Sequence, residues 1–265
     1  MTFERGARRT FDLVVGADGL HSRVRERVFG EEPRFMQHLG CYAAIFTTRN
    51  HLGLDRSGLF FSVPGRVAGI YGARDTSEAK ALFYFASSPL DYEHRDLDAQ
   101  RRLVAGAFAR EGWEIPTLLE SMWQASDFYF DSVSQIHMDR WSEGRTVLLG
   151  EAAYCASPLS GLGTGLAMIG AYVLAGELSA ASDHRTAFGK YEERMRGYAR
   201  ACQKSALGAG KWFVPKSPAR IWFRNLNFRL LPHMPWRNLV AEMSRKTANG
   251  IALPDYGWQR GAQVA

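Results

Sequence analysis

The 265-residue chain is 46% hydrophobic and 12% aromatic, apolar material enough for one large core or two modest ones, which excludes a disordered chain. Cys41, Cys155 and Cys202 are far apart and form no CxxC pair, which excludes a disulfide framework and a zinc site and marks them as reduced thiols. The formal charge of +6 is uneven, with 14 Lys/Arg against 4 Asp/Glu over residues 190–265 and 19 against 23 over residues 1–189.

In chain order, the first element is a short apolar run at 11–15, predicted as a buried strand that delivers the tight turn Gly16-Ala17-Asp18-Gly19. A helix is predicted over 21–29. From 40 to 87 the pattern changes to short β-rich pieces at 41–48, 59–63, 67–73 and 81–86, read as an antiparallel sheet. Pro64-Gly65 puts proline and glycine where a type II turn requires them, so the middle pair is expected to form a hairpin. Helical spacing covers 97–110 and 115–123, 128–137 is again extended, and 145–149 is a further apolar strand.

Residues 152–176 contain no charged side chain. Pro158 and the closely spaced glycines break the first half and leave too short an apolar helix for a bilayer of ~30 Å, so no membrane span is read here. A glycine-rich loop feeding a buried helix fits instead. Helices are then predicted over 186–207, 217–230 and 236–246, punctuated by Pro215, Pro218, Pro232 and Pro235. No apolar stretch follows a basic start at Met1, which reads as the absence of a secretory signal and points to the cytoplasm. The basic tail has two readings, solvated helix faces or a patch for nucleic acid or an acidic membrane surface. No nucleic-acid motif accompanies it, and no nucleic-acid partner is expected.

A strand, the loop Gly161-Leu162-Gly163-Thr164-Gly165 and a helix make a physical cradle for a polar or anionic group, because bare backbone N–H groups and a helix N-terminus converge there. Close helix-to-sheet packing also selects glycine, and the loop alone leaves both readings open. The run Arg145-Thr146-Val147-Leu148-Leu149-Gly150-Glu151-Ala152-Ala153-Tyr154, then Pro158 and the glycines, resembles the second FAD motif of the class A flavoprotein monooxygenases, the p-hydroxybenzoate hydroxylase family. That resemblance implies a ribityl contact at Gly150-Glu151, a position beside the flavin ring for Pro158, and the flavin edge for Gly161, Leu162, Gly163, Thr164 and Gly165. The segment Asp12-Leu13-Val14-Val15-Gly16-Ala17-Asp18-Gly19-Leu20-His21-Ser22-Arg23-Val24-Arg25 resembles the same family's DG motif. By that resemblance Asp18, Gly19, Ser22 and Arg25 bind cofactor and take part in handling the nicotinamide.

The resemblance implies an α/β fold with α+β character: a partial FAD-binding Rossmann-like domain over 1–38 and 139–182, an antiparallel substrate-domain sheet over 39–138 and a C-terminal helical region over 183–265. It also implies FAD reduced by NADPH or NADH, reaction with oxygen at flavin C4a, and hydroxylation of a small aromatic or polyketide-like substrate. The cofactor performs those steps, so no catalytic side chain is expected, nor any metal ligand. Phe60, Phe61, Tyr71, Phe83, Tyr84, Phe85, Phe128, Tyr129 and Phe130 are candidates to line the aromatic pocket, most of them as plain core. Glu151 stands where the family has Asp, and Tyr154 where it commonly has His.

The family's opening GxGxxG segment has no match, since Leu166 follows Gly161-Leu162-Gly163-Thr164-Gly165 where the third glycine is needed. The chain is therefore expected to be a truncated member whose 11–15 strand has unpaired edges and an exposed apolar face. It is expected either to draw on a separate chain carrying GxGxxG or to be a non-catalytic fragment or small-ligand-binding protein. GxSxG, GxxxxGK[ST] and HExxH are absent, which argues against hydrolase, P-loop and zincin chemistry.

Overall fold

A computed structural model describes residues 2, 6–72, 77–234 and 245–257. The elements run β1 (Val14–Gly16), α1 (Arg23–Phe29), β2 (Met36–Arg49), β3 (Gly58–Val63), β4 (Arg66–Gly72), β5 (Glu78–Ala86), α2 (Leu97–Phe108) and α3 (Ile115–Gln124). There follow β6 (Tyr129–Ile136), β7 (Ser142–Glu143), β8 (Thr146–Leu148), α4 (Glu151–Tyr154), α5 (Gly163–Ala180), α6 (His184–Phe213) and α7 (Pro218–Leu230). The helix expected over 236–246 lies almost wholly outside the described residues.

Two compact units form, residues 1–37, 134–207 and 238–265 in the first and residues 38–133 and 208–237 in the second. The division between the units falls after Leu207, within the residues of α6.

In the first unit β1 and β8 pair in parallel, Val14 opposite Thr146 and Gly16 opposite Leu148, and the short β7 pairs antiparallel with β8. The strand expected at 11–15 is thus displaced to Val14–Gly16, the stretch that pairs with β8. β1 is an edge among these strands, and Val15 on it is 45% exposed. Behind the pair, Val147 and Leu148 pack against Leu166, Val173 and Leu174 of α5 and Phe188, Tyr191 and Met195 of α6. Cys155 and Cys202 are buried free thiols of this core. No helix among the described residues is long and apolar enough to cross a membrane.

The second unit is a five-stranded sheet in the order β3-β4-β5-β2-β6. The two-residue turn Pro64-Gly65 joins β3 to β4 with Gly65 at φ 74°, the left-handed angle that a type II turn demands at its second position. Register sorts the aromatics by face. Tyr42, Phe46, Ile70, Phe83 and Phe85 share one face and bury themselves against Val104 and Phe108 of α2 and Ile115, Leu118 and Met122 of α3. Phe60 opposite Gly69, and Gly69 opposite Leu82, define the other face, which α2 and α3 leave uncovered.

Candidate functional site

The two motifs meet because the strands that carry them are neighbours running the same way. Asp18-Gly19 leaves β1 and Gly150-Glu151 leaves β8 at the same carboxyl edge, with Leu149 N donating to Gly16 O at 2.9 Å just before the chains part. In open parallel α/β sheets that edge is where ligands sit. Gly16 is small for packing, since a Cβ there meets Leu148 and Val24 at 2.6 and 2.9 Å. Gly19 has φ 81° and open space around it, so its glycine answers to the turn.

Asp18 is tied to the helix that follows it. Its Oδ1 accepts from Ser22 Oγ at 2.5 Å and its Oδ2 from Val24 N at 3.1 Å. Burial pushes the carboxyl pKa up, but these hydrogen bonds outweigh it and hold the group below its ordinary value. Ser22 is buried and caps α1, its Oγ accepting from Arg25 N at 2.9 Å. The helix therefore begins at Arg23, two residues later than expected.

Arg25, also expected at the cofactor, lies beneath the surface of the segment. Its side chain is fully buried and turns inward, donating from Nη1 to Ala152 O at 3.1 Å and from Nη2 to Leu20 O at 2.7 Å and Glu32 Oε2 at 2.6 Å. With its Nη groups committed and its Nε buried without a partner, it ties the DG segment to α4 as a strut. Glu32 also pairs with His21 Nδ1 at 2.8 Å. Glu32 went unnoticed in the sequence because a ligand motif gives no sign of the partners beneath it.

The glycines of the loop and of α5 differ in what surrounds them. Gly161 has φ 64°, and a Cβ added to it would have nothing within 4 Å; one on Gly165 likewise meets nothing, and one on Gly163 meets only Glu151 Oε1 at 3.9 Å. Packing does not require glycine at any of the three. Farther along α5 it does: a Cβ on Gly170 would overlap Tyr154 Oη, and one on Gly176 would overlap the Tyr256 ring. The loop glycines thus leave backbone accessible, while Gly170 and Gly176 make room for tyrosines.

The helix begins at Gly163, so Gly163 and Gly165 lie in its first turn and not in the preceding loop. The N–H groups of Gly163, Thr164 and Gly165 form no hydrogen bond among the described residues, and the next amide, Leu166 N, bonds to Leu162 O at 2.9 Å. Pro158 opens the short turn Pro158–Ser160, set by Ser157 at φ 78°, a left-handed conformation rare for serine. Gly150, at φ 66°, caps α4 and delivers the exposed Glu151 as its first residue. A carboxylate acceptor, three free amide donors and the positive end of an 18-residue helix stand together. That set suits a ligand presenting hydroxyls to the carboxylate and carbonyl or anionic oxygens to the amides.

Tyr154 lies beneath the cradle. Its Oη is 2.9 Å from Tyr191 Oη, which in turn donates to Leu148 O at 3.1 Å, and the ring lies 4.5 Å from that of Trp141. Burial raises the pKa of both tyrosines, that of Tyr191 strongly, and both stay protonated at neutral pH. A cavity of about 400 Å³ in this unit is lined by Phe35, His137, Tyr154, Arg196 and Arg200 among others and shares no residue with the cradle.

In the second unit the nine candidate pocket aromatics separate. Phe83, Phe85, Phe128 and Phe130 are core, and Phe61 packs against that core. Phe60, Tyr71 and Tyr84 lie on the face away from α2 and α3, where Tyr84 is buried in edge contact with Phe213 at 4.9 Å while Phe60 and Tyr71 are exposed, and Tyr129 is exposed at the far strand. Lys80 and Thr47 share that face and both donate to Asp127, at 2.8 and 2.6 Å.

Residues 4–205 match the family model described as FAD binding domain. The chain is 49% identical over 199 residues to an uncharacterised protein of Mycobacterium tuberculosis, a match that covers 75% of this chain and 54% of that protein. It is 37% identical over 257 residues to a flavin-dependent monooxygenase of an unknown prokaryotic organism, covering 96% of this chain and 64% of the relative. The crystal structure of tetracycline destructase Tet(55) superposes with a TM-score of 0.79 at 36% identity, covering 96% of this chain and 65% of that one. The chain thus spans between about half and two thirds of the length of these relatives.

Proposed function

This chain belongs to the FAD-binding domain family, among the flavin-dependent monooxygenases, and we propose that its glycine cradle holds the flavin end of FAD for hydroxylation of a small aromatic molecule. The observation that carries the reading is the open space above Gly161, Gly163 and Gly165 beside Glu151. The donor set fits the cofactor: the free amides of Gly163, Thr164 and Gly165 suit the carbonyl edge of a flavin, and Glu151 suits the ribityl hydroxyls. Leu162 and Pro158 give the ring an apolar border. Asp18 and Gly19, at the same sheet edge, take the neighbouring part of the cofactor and serve in handling NADPH or NADH.

When bound, FAD supplies oxidation of the nicotinamide and delivery of one oxygen atom from dioxygen to an electron-rich ring. The protein's part is to bind, orient and exclude water. The sheet face away from α2 and α3, where Phe60 and Tyr71 are exposed, is the proposed substrate wall, and similarity to a tetracycline destructase supports a planar, multi-ring, polyketide-like substrate. We place the enzyme in the cytoplasm, in keeping with its buried free thiols.

A second reading rests on the edge of β1, where Val15 is 45% exposed and no strand pairs on its outer side among the described residues. In that reading a GxGxxG segment not contained in this sequence, on a separate chain, completes the strand pair and the pyrophosphate site, and this chain alone is a non-catalytic ligand binder. Titration with FAD, followed by gel filtration, separates the two. Stoichiometric retained flavin, with NADPH- or NADH-driven oxygen uptake on an aromatic substrate, supports the enzyme. A folded chain that retains none supports the second reading.

A further inference from the structure

The basic stretch after residue 190 has no part in the cradle. Between Glu193 and Glu242 the sequence holds ten Lys/Arg and no acidic residue. Within it α7 has no buried residue over its 13 positions, although it carries Trp222, Phe223, Leu226, Phe228 and Leu230. Trp222 is 65%, Phe223 53% and Leu230 40% exposed. At about 3.6 residues per turn, Ala219, Trp222, Phe223, Leu226 and Leu230 fall in one stripe roughly 100° wide, bordered by Arg229 on one side and Arg220 on the other.

The far side of the helix holds it to the second unit. Arg224 Nη2 donates to Ser62 Oγ at 2.9 Å and Nη1 to the carbonyls of Trp212 and Phe213 at 3.4 and 3.3 Å. At the start of α7 a depression of about 210 Å³ is lined by Trp212, Pro215, Arg220, Phe223 and Arg224. The rings of Trp212 and Phe223 stand 6.0 Å apart. The Arg220 guanidinium makes no hydrogen bond or ion pair among the described residues, and Lys216 nearby is exposed.

A cover for this face must satisfy both a broad aromatic-aliphatic stripe and unopposed cations. A second copy across a two-fold axis would set arginine against arginine, with no acid on the helix to relieve the repulsion. Nucleic acid would use the cations and leave the stripe wet. The hydrocarbon boundary of a bilayer takes Trp, Phe and Leu, and its phosphates take arginines that extend along their aliphatic stems. We propose that α7 and the depression at its start dock in the plane of an anionic phospholipid bilayer, with the stripe entering the acyl boundary and Lys216, Arg220 and Arg229 pairing with headgroup phosphates.

The test is co-sedimentation of the whole chain with phosphatidylglycerol–phosphatidylcholine vesicles and with pure phosphatidylcholine vesicles, at low and high salt, while the tryptophan emission is recorded. Binding to the anionic vesicles only, with a blue shift and at least tenfold weakening by the pair Trp222→Ser and Phe223→Ser, is expected. Arg220→Glu with Arg229→Glu should weaken binding comparably and flatten the salt dependence. These positions are exposed, and circular dichroism checks that the variants fold. Absence of binding to anionic vesicles overturns the proposal, as does binding that ignores the Trp222 and Phe223 changes. A dimer that the same variants dissociate, without vesicle binding, assigns the face to a second copy instead, and retention on a nucleic-acid column without vesicle binding assigns it to a polyanion.

Discussion

Two regions of the first unit use the same residue types to opposite ends. At the rim, a Cβ on Gly161 or Gly165 would meet nothing within 4 Å and one on Gly163 only Glu151 Oε1 at 3.9 Å, so packing does not require these glycines to be small, and Glu151 beside them is exposed. One layer below, Arg25, Gly170, Tyr154 and Tyr191 are enclosed, the Arg25 Nη groups bonded to backbone carbonyls and Glu32 and the two tyrosine hydroxyls to each other and to Leu148 O. Rim residues are therefore expected to govern ligand binding with little effect on stability, and the layer beneath to govern stability first.

The largest effect is expected at the strut. Arg25→Ala leaves Glu32 and the Ala152 and Leu20 carbonyls without their donor and should cost about 3 kcal/mol, read from urea unfolding, with flavin binding lost only as the fold is lost. A stable Arg25→Ala chain that merely fails to bind flavin would return Arg25 to the rim. Gly170→Ala drives a methyl into Tyr154 Oη and is expected to cost roughly 2 kcal/mol by overpacking, visible as a lowered Tm. Glu151→Ala should leave the chain folded by circular dichroism and weaken flavin about tenfold or more, through loss of a charged hydrogen bond worth about 1.5–3 kcal/mol. Gly165→Ala sits in a helix with free space around it, so it should raise stability by about 0.5 kcal/mol while reducing flavin affinity.

The smallest effects lie at the ends of the pH range and separate the same two regions. Tyr154 and Tyr191 have folded pKa values above their unfolded value of about 10, so their contribution is complete below that pH and is lost as pH rises through the folded values. Asp18 is held below its unfolded value of about 3.9, so its contribution is present above that pH and is lost as pH falls through the folded value. Urea unfolding from pH 3 to 11 should show the alkaline loss shrink in Tyr191→Phe and the acid loss shrink in Asp18→Asn.

The sequence made the order of elements legible because hydrophobic period and turn residues are local signals. The hairpin at Pro64-Gly65, the paired helices after residue 97 and the glycine loop before α5 all follow from residues within a few positions of one another. What depended on distant partners was not legible. The contrast between Phe60 and Phe61 needed the β3–β4 register, and the burial of Arg25 needed Ala152, 127 residues away. The glycine loop was ambiguous for the same reason. No local pattern tells Gly165, with nothing near it, from Gly170, with a tyrosine hydroxyl in its place.

The central claim is that the amides at the start of α5 receive a flavin. Hydrogen exchange at saturating FAD, measured on the wild-type chain and on Gly165→Val, tests it most directly. The account predicts slowed exchange at Gly163, Thr164 and Gly165 in the wild type, and none in the variant. Unchanged exchange at these amides in the presence of saturating FAD, or protection confined to other segments, would contradict it.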